Sequence, residues 1–203
     1  MTRLARVVAP GYPHHITQRG NRRQPTFFKQ NDYKLYLTIL KEQCDKFDAE
    51  VWAYCLMPNH VHLVVVPNTE DSMRKAIGET HRRYTRAINE RMEWRGYLWQ
   101  GRFASFPLDE SYLLATVRYV ELNPVKAGLV ASPEQYMWSS ARFHLGLCDD
   151  ALISRSPLRD IVSNWQDFLL MEDNANEQRR IRVACSTGQP LGTETFLKAI
   201  HIR

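Results

Sequence analysis

VWAYCLMPNHVHLVVV, residues 51–66, is two apolar runs interrupted by Pro58-Asn59. Each run has strand length and is rich in valine and aromatics, and Pro-Asn is turn chemistry. The stretch predicts a hairpin, with strands at 51–57 and 60–66. Upstream, HHITQRG (14–20) reads as a short strand ending in a Gly-Asn turn. NDYKLYLTILKEQCDKFDAE (31–50) reads as a helix capped by Asn31 or Asp32, with Leu35, Ile39, Leu40 and Phe47 on one side. Downstream, residues 72–94 form a long amphipathic helix with a basic face, and GYLWQGRFASFPL (96–108) returns as a strand. Asp109 caps a further helix to about Asn123, before Pro124, and PVKAGLV adds a short turn that stops near Gly128.

The order is strand, helix, strand, strand, helix, strand. It predicts an α+β fold of the ferredoxin-like, split βαβ type: an antiparallel sheet with helices on one face and a third helix appended. Residues 1–146 make up this domain. The texture then changes, and 147–203 is expected to be a helical C-terminal extension, with weak helical signals around 157–171 and not a second full domain.

The chain has 203 residues and a net charge of +5. The charge is unevenly spread. The first thirty residues hold six Lys or Arg and no acid, whereas Asp149 to Glu177 holds seven acids and two arginines. A basic first half suits a polyanion partner. The acidic stretch raises the expectation that it folds back over the basic face. No apolar run reaches the roughly 18 residues of a membrane span. The N-terminal apolar stretch is too short for a signal-peptide core, so cytoplasmic residence is expected. Four cysteines, at 44, 55, 148 and 185, form no C-x-x-C pair and read as free thiols.

Alternation along the second hairpin strand puts His60 and His62 on one face, roughly 6–7 Å apart along the strand. That is close enough for two neutral imidazoles to converge on one ion. On the helix after Asp109, Leu113, Val117 and Val120 form an apolar stripe. Tyr112, Thr116, Tyr119 and Asn123 fall on another face, so Tyr119 and Asn123 are neighbours one turn apart. An amide oxygen can complete a metal site, and a phenol beside it can act as a nucleophile. A half-buried core tyrosine is the alternative. Tyr84 is a rival nucleophile, but Ile88, not an amide, stands one turn after it.

His60-Val61-His62 resembles the histidine–hydrophobe–histidine motif of the HUH single-strand DNA endonucleases. GYLWQGRFASFPLDESYLLATVRYV (96–120), RYVELNPVKAGLV (118–130) and QPLGTETF (189–196) are similar to the REP-associated tyrosine transposases, a single-tyrosine branch of that superfamily. The likeness runs from about His14 to Phe196. It implies that 1–146 is a catalytic domain and that Tyr119 is the nucleophile. It also implies that His60, His62 and Asn123 hold a divalent cation, Mg2+ or Mn2+. The implied reaction is nicking and rejoining of single-stranded, hairpin-forming palindromic DNA through a covalent 5′-phosphotyrosine, without ATP. With its long C-terminal extension, the chain is expected to be a monomer and not a homodimer.

Arg19, Arg22 and Arg23 form a basic turn, Arg82, Arg83 and Arg86 line the long helix, and Arg102 and Lys126 complete the set expected to contact DNA. Tyr97, Trp99 and Phe103 interleave with it as candidates for base stacking. Two other readings share these residues. A non-catalytic RNA-recognition module has the same element order but stacks bases on sheet aromatics. A structural zinc protein needs four good ligands, which are not evident here.

Overall fold

The computed structural model describes residues 6–172 and 174–200. Its sheet contains β1 (His14–Arg19), β2 (Ala49–Met57), β3 (His60–Pro67) and β4 (Ala104–Pro107), in the order β2-β3-β1-β4. All pairings are antiparallel. This is the split βαβ arrangement, with the hairpin as expected and β1 threaded between β3 and β4.

Helices α1 (Gln30–Lys46) and α2 (Ser72–Met92) cover one face of the sheet. Ile16, Tyr54, Leu56, Val61, Leu63 and Val65 meet Tyr36, Leu40, Ile77, Tyr84 and Ile88 there in one apolar cluster. The buried stripe of α1 runs through Tyr33, Tyr36, Ile39, Leu40 and Cys44, while Leu35 faces solvent. The α1 cap also differs from expectation. Lys29 takes the N-cap position, and the Asp32 carboxylate folds back to accept from the backbone N–H groups of Phe28 (2.8 Å) and Lys29 (3.1 Å). Arg91 of α2 grips the same carboxylate and clamps the two helices together.

The strand expected over 96–108 is shorter. Gly96 and Gly101 adopt positive φ, so the chain bends twice before pairing begins at Ala104. Leu98 and Trp99 enter the core from this loop instead.

The second face of the sheet is also covered. Here α3 (Glu110–Glu121) lies over β2 and β3, its Leu113, Val117 and Val120 packed on Ala53, Cys55 and Val64. Beyond it come the short helices α4 (Asn123–Lys126), α5 (Ala141–His144), α6 (Leu158–Ile161) and α7 (Trp165–Leu170), followed by α8 (Ala175–Thr187) and α9 (Glu194–Ala199). Leu158, Trp165 and Leu169 join the cluster under α3, while Ile181, Ala184 and Leu191 pack with Phe106 and Leu108. Residues after 146 therefore share the apolar clusters of the sheet.

Asp109 ties this layer to β4. Its carboxylate accepts from Tyr112 N–H (3.1 Å), capping α3, and from Thr193 N–H (2.7 Å). Gly192 makes the approach possible, because a Cβ there would stand 2.9 Å from the Asp109 carboxyl carbon. No helix among the described residues is long and apolar enough to cross a membrane. All four cysteines are free.

Candidate active site

The site lies on the second face of the sheet, where β3 leaves its turn and α3 ends. Cross-strand pairs set its floor: Arg19 opposite His60, and Thr17 opposite His62. Val61, Leu63 and Val65 point into the other core, so alternation turns His60 and His62 toward α3. Their ring centroids are 4.9 Å apart. Burial, followed by the Arg19 charge, pulls His60 down to about 4. Burial, helped by the neighbouring His15, His60 and Arg19, holds His62 well below the usual range. Both rings are therefore neutral at physiological pH, the form that binds a cation.

Tyr119 projects from the last turn of α3. Its ring lies 5.7 Å from that of His62 and nearly perpendicular to it, at 83°. Asn123, one turn on, donates from Nδ2 to the Tyr119 carbonyl at 2.9 Å. Lys126 Nζ stands 5.9 Å from the Tyr119 ring. Burial raises the Tyr119 phenol above its ordinary value, with Cys185 adding to the effect. Arg182, a hydrogen bond from Asn123, and Arg19 oppose it. The structure thus draws together His60, His62, Tyr119, Asn123, Lys126 and Arg19 from four elements of one chain.

Four neighbours escaped sequence reasoning. Asn59, read only as a turn residue, places Oδ1 2.6 Å from His60 Nδ1. His15 places Nε2 3.0 Å from His62 Nδ1. Its parity on β1 matches that of Thr17 and Arg19, and this was the signal available. Cys185 and Arg182 arrive on α8, whose basic turn follows directly on the acidic stretch and is masked by it.

The donor set suits a divalent cation. Each of the two histidines uses Nδ1 within the protein, and among the described residues neither Nε2 has a protein partner. No group of three or more His, Cys, Asp and Glu side chains there could hold a metal ion. The residues that could hold a cation here are His60, His62 and, through its amide oxygen, Asn123, a set that would leave room for substrate oxygens.

The remaining basic residues fall into two regions. Arg22 and Arg23 occupy a 3-10 turn at φ of 54° and 61°, directly beside the site, because Asn59 Nδ2 donates to the Arg23 carbonyl. Arg102 is exposed in the loop before β4. Arg82, Arg83 and Arg86 lie across the sheet on the outer side of α2, paired with Glu79, Glu42 and Glu90. None of these partners belongs to the acidic stretch 149–177, so among the described residues the ion pairs of these three arginines give the expected fold-back no support. Of the expected stacking residues, Trp99 and Phe103 are buried in the core and only Tyr97, 87% exposed, is open to solvent. Trp94 (42% exposed) shares a surface pocket with Arg22, Arg95 and Tyr97 and meets Phe28 edge to face.

Comparison with known proteins assigns the chain to a family. The model of the family described as IS200-like transposase matches residues 10–123. A Haemophilus influenzae chain assigned as a REP-associated tyrosine transposase is 28% identical over 138 residues, covering 59% of this chain and 77% of its own. Among solved structures, a REP-associated tyrosine transposase bound to a REP hairpin superposes with a TM-score of 0.62 at 19% identity, covering 75% of this chain and 96% of its own. That likeness is one of fold.

Proposed function

Because the chain belongs to the IS200-like transposase family, we propose that it cuts and rejoins single-stranded, hairpin-forming DNA with Tyr119 as the nucleophile. The observation that carries this reading is the placement of the Tyr119 ring against His62, with the Asn123 amide one turn away. The phenol oxygen attacks a backbone phosphorus as the phenolic proton leaves. An O–P bond to tyrosine forms, the bond to the 3′ oxygen breaks, and that oxygen departs as a hydroxyl. The ester conserves the energy of the original bond, so reversal by another 3′-hydroxyl rejoins the strand without ATP.

Phenol ionises near pH 10, and burial raises Tyr119 further. Arg19, Arg182 and the Asn123 amide oppose that rise and stabilise the developing phenolate. His60, His62 and Asn123 would hold Mg2+ or Mn2+, which would supply charge stabilisation and alignment for the phosphate. Arg22, Arg23 and Arg102 are suited to neutralising the DNA backbone, and Trp94 and Tyr97 to stacking on unpaired bases. The REP hairpin in the similar complex supports a hairpin substrate here. Tyr119 meets His62 of its own chain, an arrangement that a monomer can use. The RNA-recognition reading needs an open sheet face, whereas α3 and α8 cover the one in question.

The test uses a labelled hairpin oligonucleotide incubated with the protein and Mn2+ and resolved on a denaturing gel. A covalent adduct is expected, lost in Tyr119→Phe and in the His60→Ala, His62→Ala double variant. Cleavage that persists in Tyr119→Phe removes the nucleophile from this reading.

A further inference from the structure

A third histidine lies beside the site with no role in the chemistry above. His15 is wholly buried on β1, on the face that carries His60 and His62. Its ring is nearly coplanar with that of His62, at 8°, with centroids 5.2 Å apart. The facing nitrogens, His15 Nε2 and His62 Nδ1, are only 3.0 Å apart. Coplanar rings whose nitrogens are so much closer than their centroids meet edge to edge along an N–H axis. They do not stack face to face. On its far side, His15 Nδ1 lies 3.5 Å from Cys185 Sγ. Phe106 packs perpendicular to the His15 ring, at 87°, and fixes its plane.

A neutral imidazole carries one N–H and one lone pair, and a thiol can donate or accept. The row His62, His15, Cys185 can therefore be polarised in two ways. In one, His62 Nδ1–H donates to His15 Nε2, and His15 Nδ1–H donates to the Cys185 sulfur. His62 then turns a lone pair at Nε2 toward the site. In the other, every bond reverses and His62 presents an N–H, which cannot ligate a cation. The neighbouring ligand shows which polarity the site uses. Asn59 donates from Nδ2 to the Arg23 carbonyl, so its oxygen accepts from His60 Nδ1 and leaves the His60 Nε2 lone pair free.

We propose that His15, backed by Cys185, is a positioning residue that holds His62 in the tautomer able to bind the cation through Nε2. This rests on the reading of His60 and His62 as metal ligands. In that role His15 is the outer partner of a ligating histidine, a position where substitution typically costs about 10–100-fold in metal affinity.

Two measurements on the full chain test it. Long-range 1H–15N correlation on the metal-free protein reads the tautomer of His62, its signal assigned by loss in His62→Gln. The Nδ1–H form is expected, and the Nε2–H form overturns the proposal even if no His15 variant folds. Mn2+ binding, followed by electron paramagnetic resonance, is then compared among wild type, His15→Phe and His15→Gln, with circular dichroism to verify folding. His15→Phe keeps a ring against Phe106 but no acceptor, and should weaken Mn2+ about 10–100-fold. His15→Gln, whose amide oxygen can accept the same proton, should recover most of the affinity. Equal Mn2+ affinity in folded His15→Phe sinks the positioning role and leaves the ligand reading standing. Absence of Mn2+ binding in wild type, with His60→Ala indistinguishable from it, removes the ligand reading itself.

Discussion

Asn59 and His60, neighbours in the chain, are joined side chain to side chain: Oδ1 of the first lies 2.6 Å from Nδ1 of the second. The same amide donates to the Arg23 carbonyl at 3.0 Å, so one residue ties the basic turn to a candidate metal ligand. Asn59→Ala should release both. Cation affinity is expected to fall about 10–100-fold, as when other outer partners of ligating histidines are removed. The check is cleavage rate against Mn2+ concentration. Asn59→Asp keeps an acceptor and should shift the curve less. An unchanged curve in folded Asn59→Ala would show that His60 needs no such support.

Tyr97 and Trp94 should be felt in DNA affinity. A base stacked on an aromatic contributes about 1–3 kcal/mol, and these rings flank Arg22 and Arg95 in an open pocket. Tyr97→Ala and Trp94→Ala should each weaken binding of a hairpin with a single-stranded flank, at nearly constant salt dependence. Arg22→Ala should instead reduce the slope of log affinity against log salt by about one. Fluorescence anisotropy across a salt series separates the two effects. Equal binding of flanked and unflanked hairpins by wild type would show that the pocket takes no base.

The hairpin was legible because two apolar runs of strand length flank the Pro58-Asn59 turn, and strand alternation sets His60 and His62 on one face. Tyr119 and Asn123 were legible from the helical period after the Asp109 cap. The partners of these groups were not. His15 meets His62 only because β1 is threaded beside β3, a register that neither strand encodes alone. Cys185 and Arg182 reach the site on a helix about 60 residues further along the chain, brought there by apolar packing of Ile181 and Leu191 on β4. Trp99 looked like a stacking residue because a basic, aromatic loop has the same composition whether its rings point outward or inward.

Acid should destabilise the fold in a defined window. Burial lowers His14 to about 4 and His81 to about 3, from an ordinary value of 6.5. Above about pH 6.5 neither the folded nor the unfolded chain binds protons at these rings. Below it the unfolded chain takes up protons that the folded one refuses. Stability is therefore complete above about 6.5 and falls as pH drops toward 4, by up to about 1.4 kcal/mol per pH unit for each ring. Urea midpoints at pH 8, 6.5 and 5 provide the measurement. His81 bonds Tyr36 in the core beneath α2, remote from the candidate site. His81→Gln should thus flatten the slope by about one ring's share, and an unaltered slope would assign the loss to other groups.

Glu121 anchors the far side of the helix that carries Tyr119. It is fully buried, and its carboxylate accepts from Ser140 Oγ (2.5 Å), His144 Nδ1 (2.6 Å) and Trp165 Nε1 (2.8 Å). His144 also stacks on Trp165, with centroids 4.1 Å apart, so α3, α5 and α7 meet at one carboxylate. Glu121→Ala leaves His144 and Trp165 without their acceptor and Ser140 with only the Tyr54 carbonyl, and breaking such a cluster costs about 3–5 kcal/mol. The urea midpoint should fall at an unchanged m-value, the mark of lost stability in an unaltered two-state transition. The replacement Glu121→Leu with His144→Phe removes most of the orphaned polarity and should recover part of the loss. A single-variant loss below about 1 kcal/mol, within the range of an ordinary hydrogen bond, would mean that water reaches the cluster and that α3 is held by its apolar stripe alone.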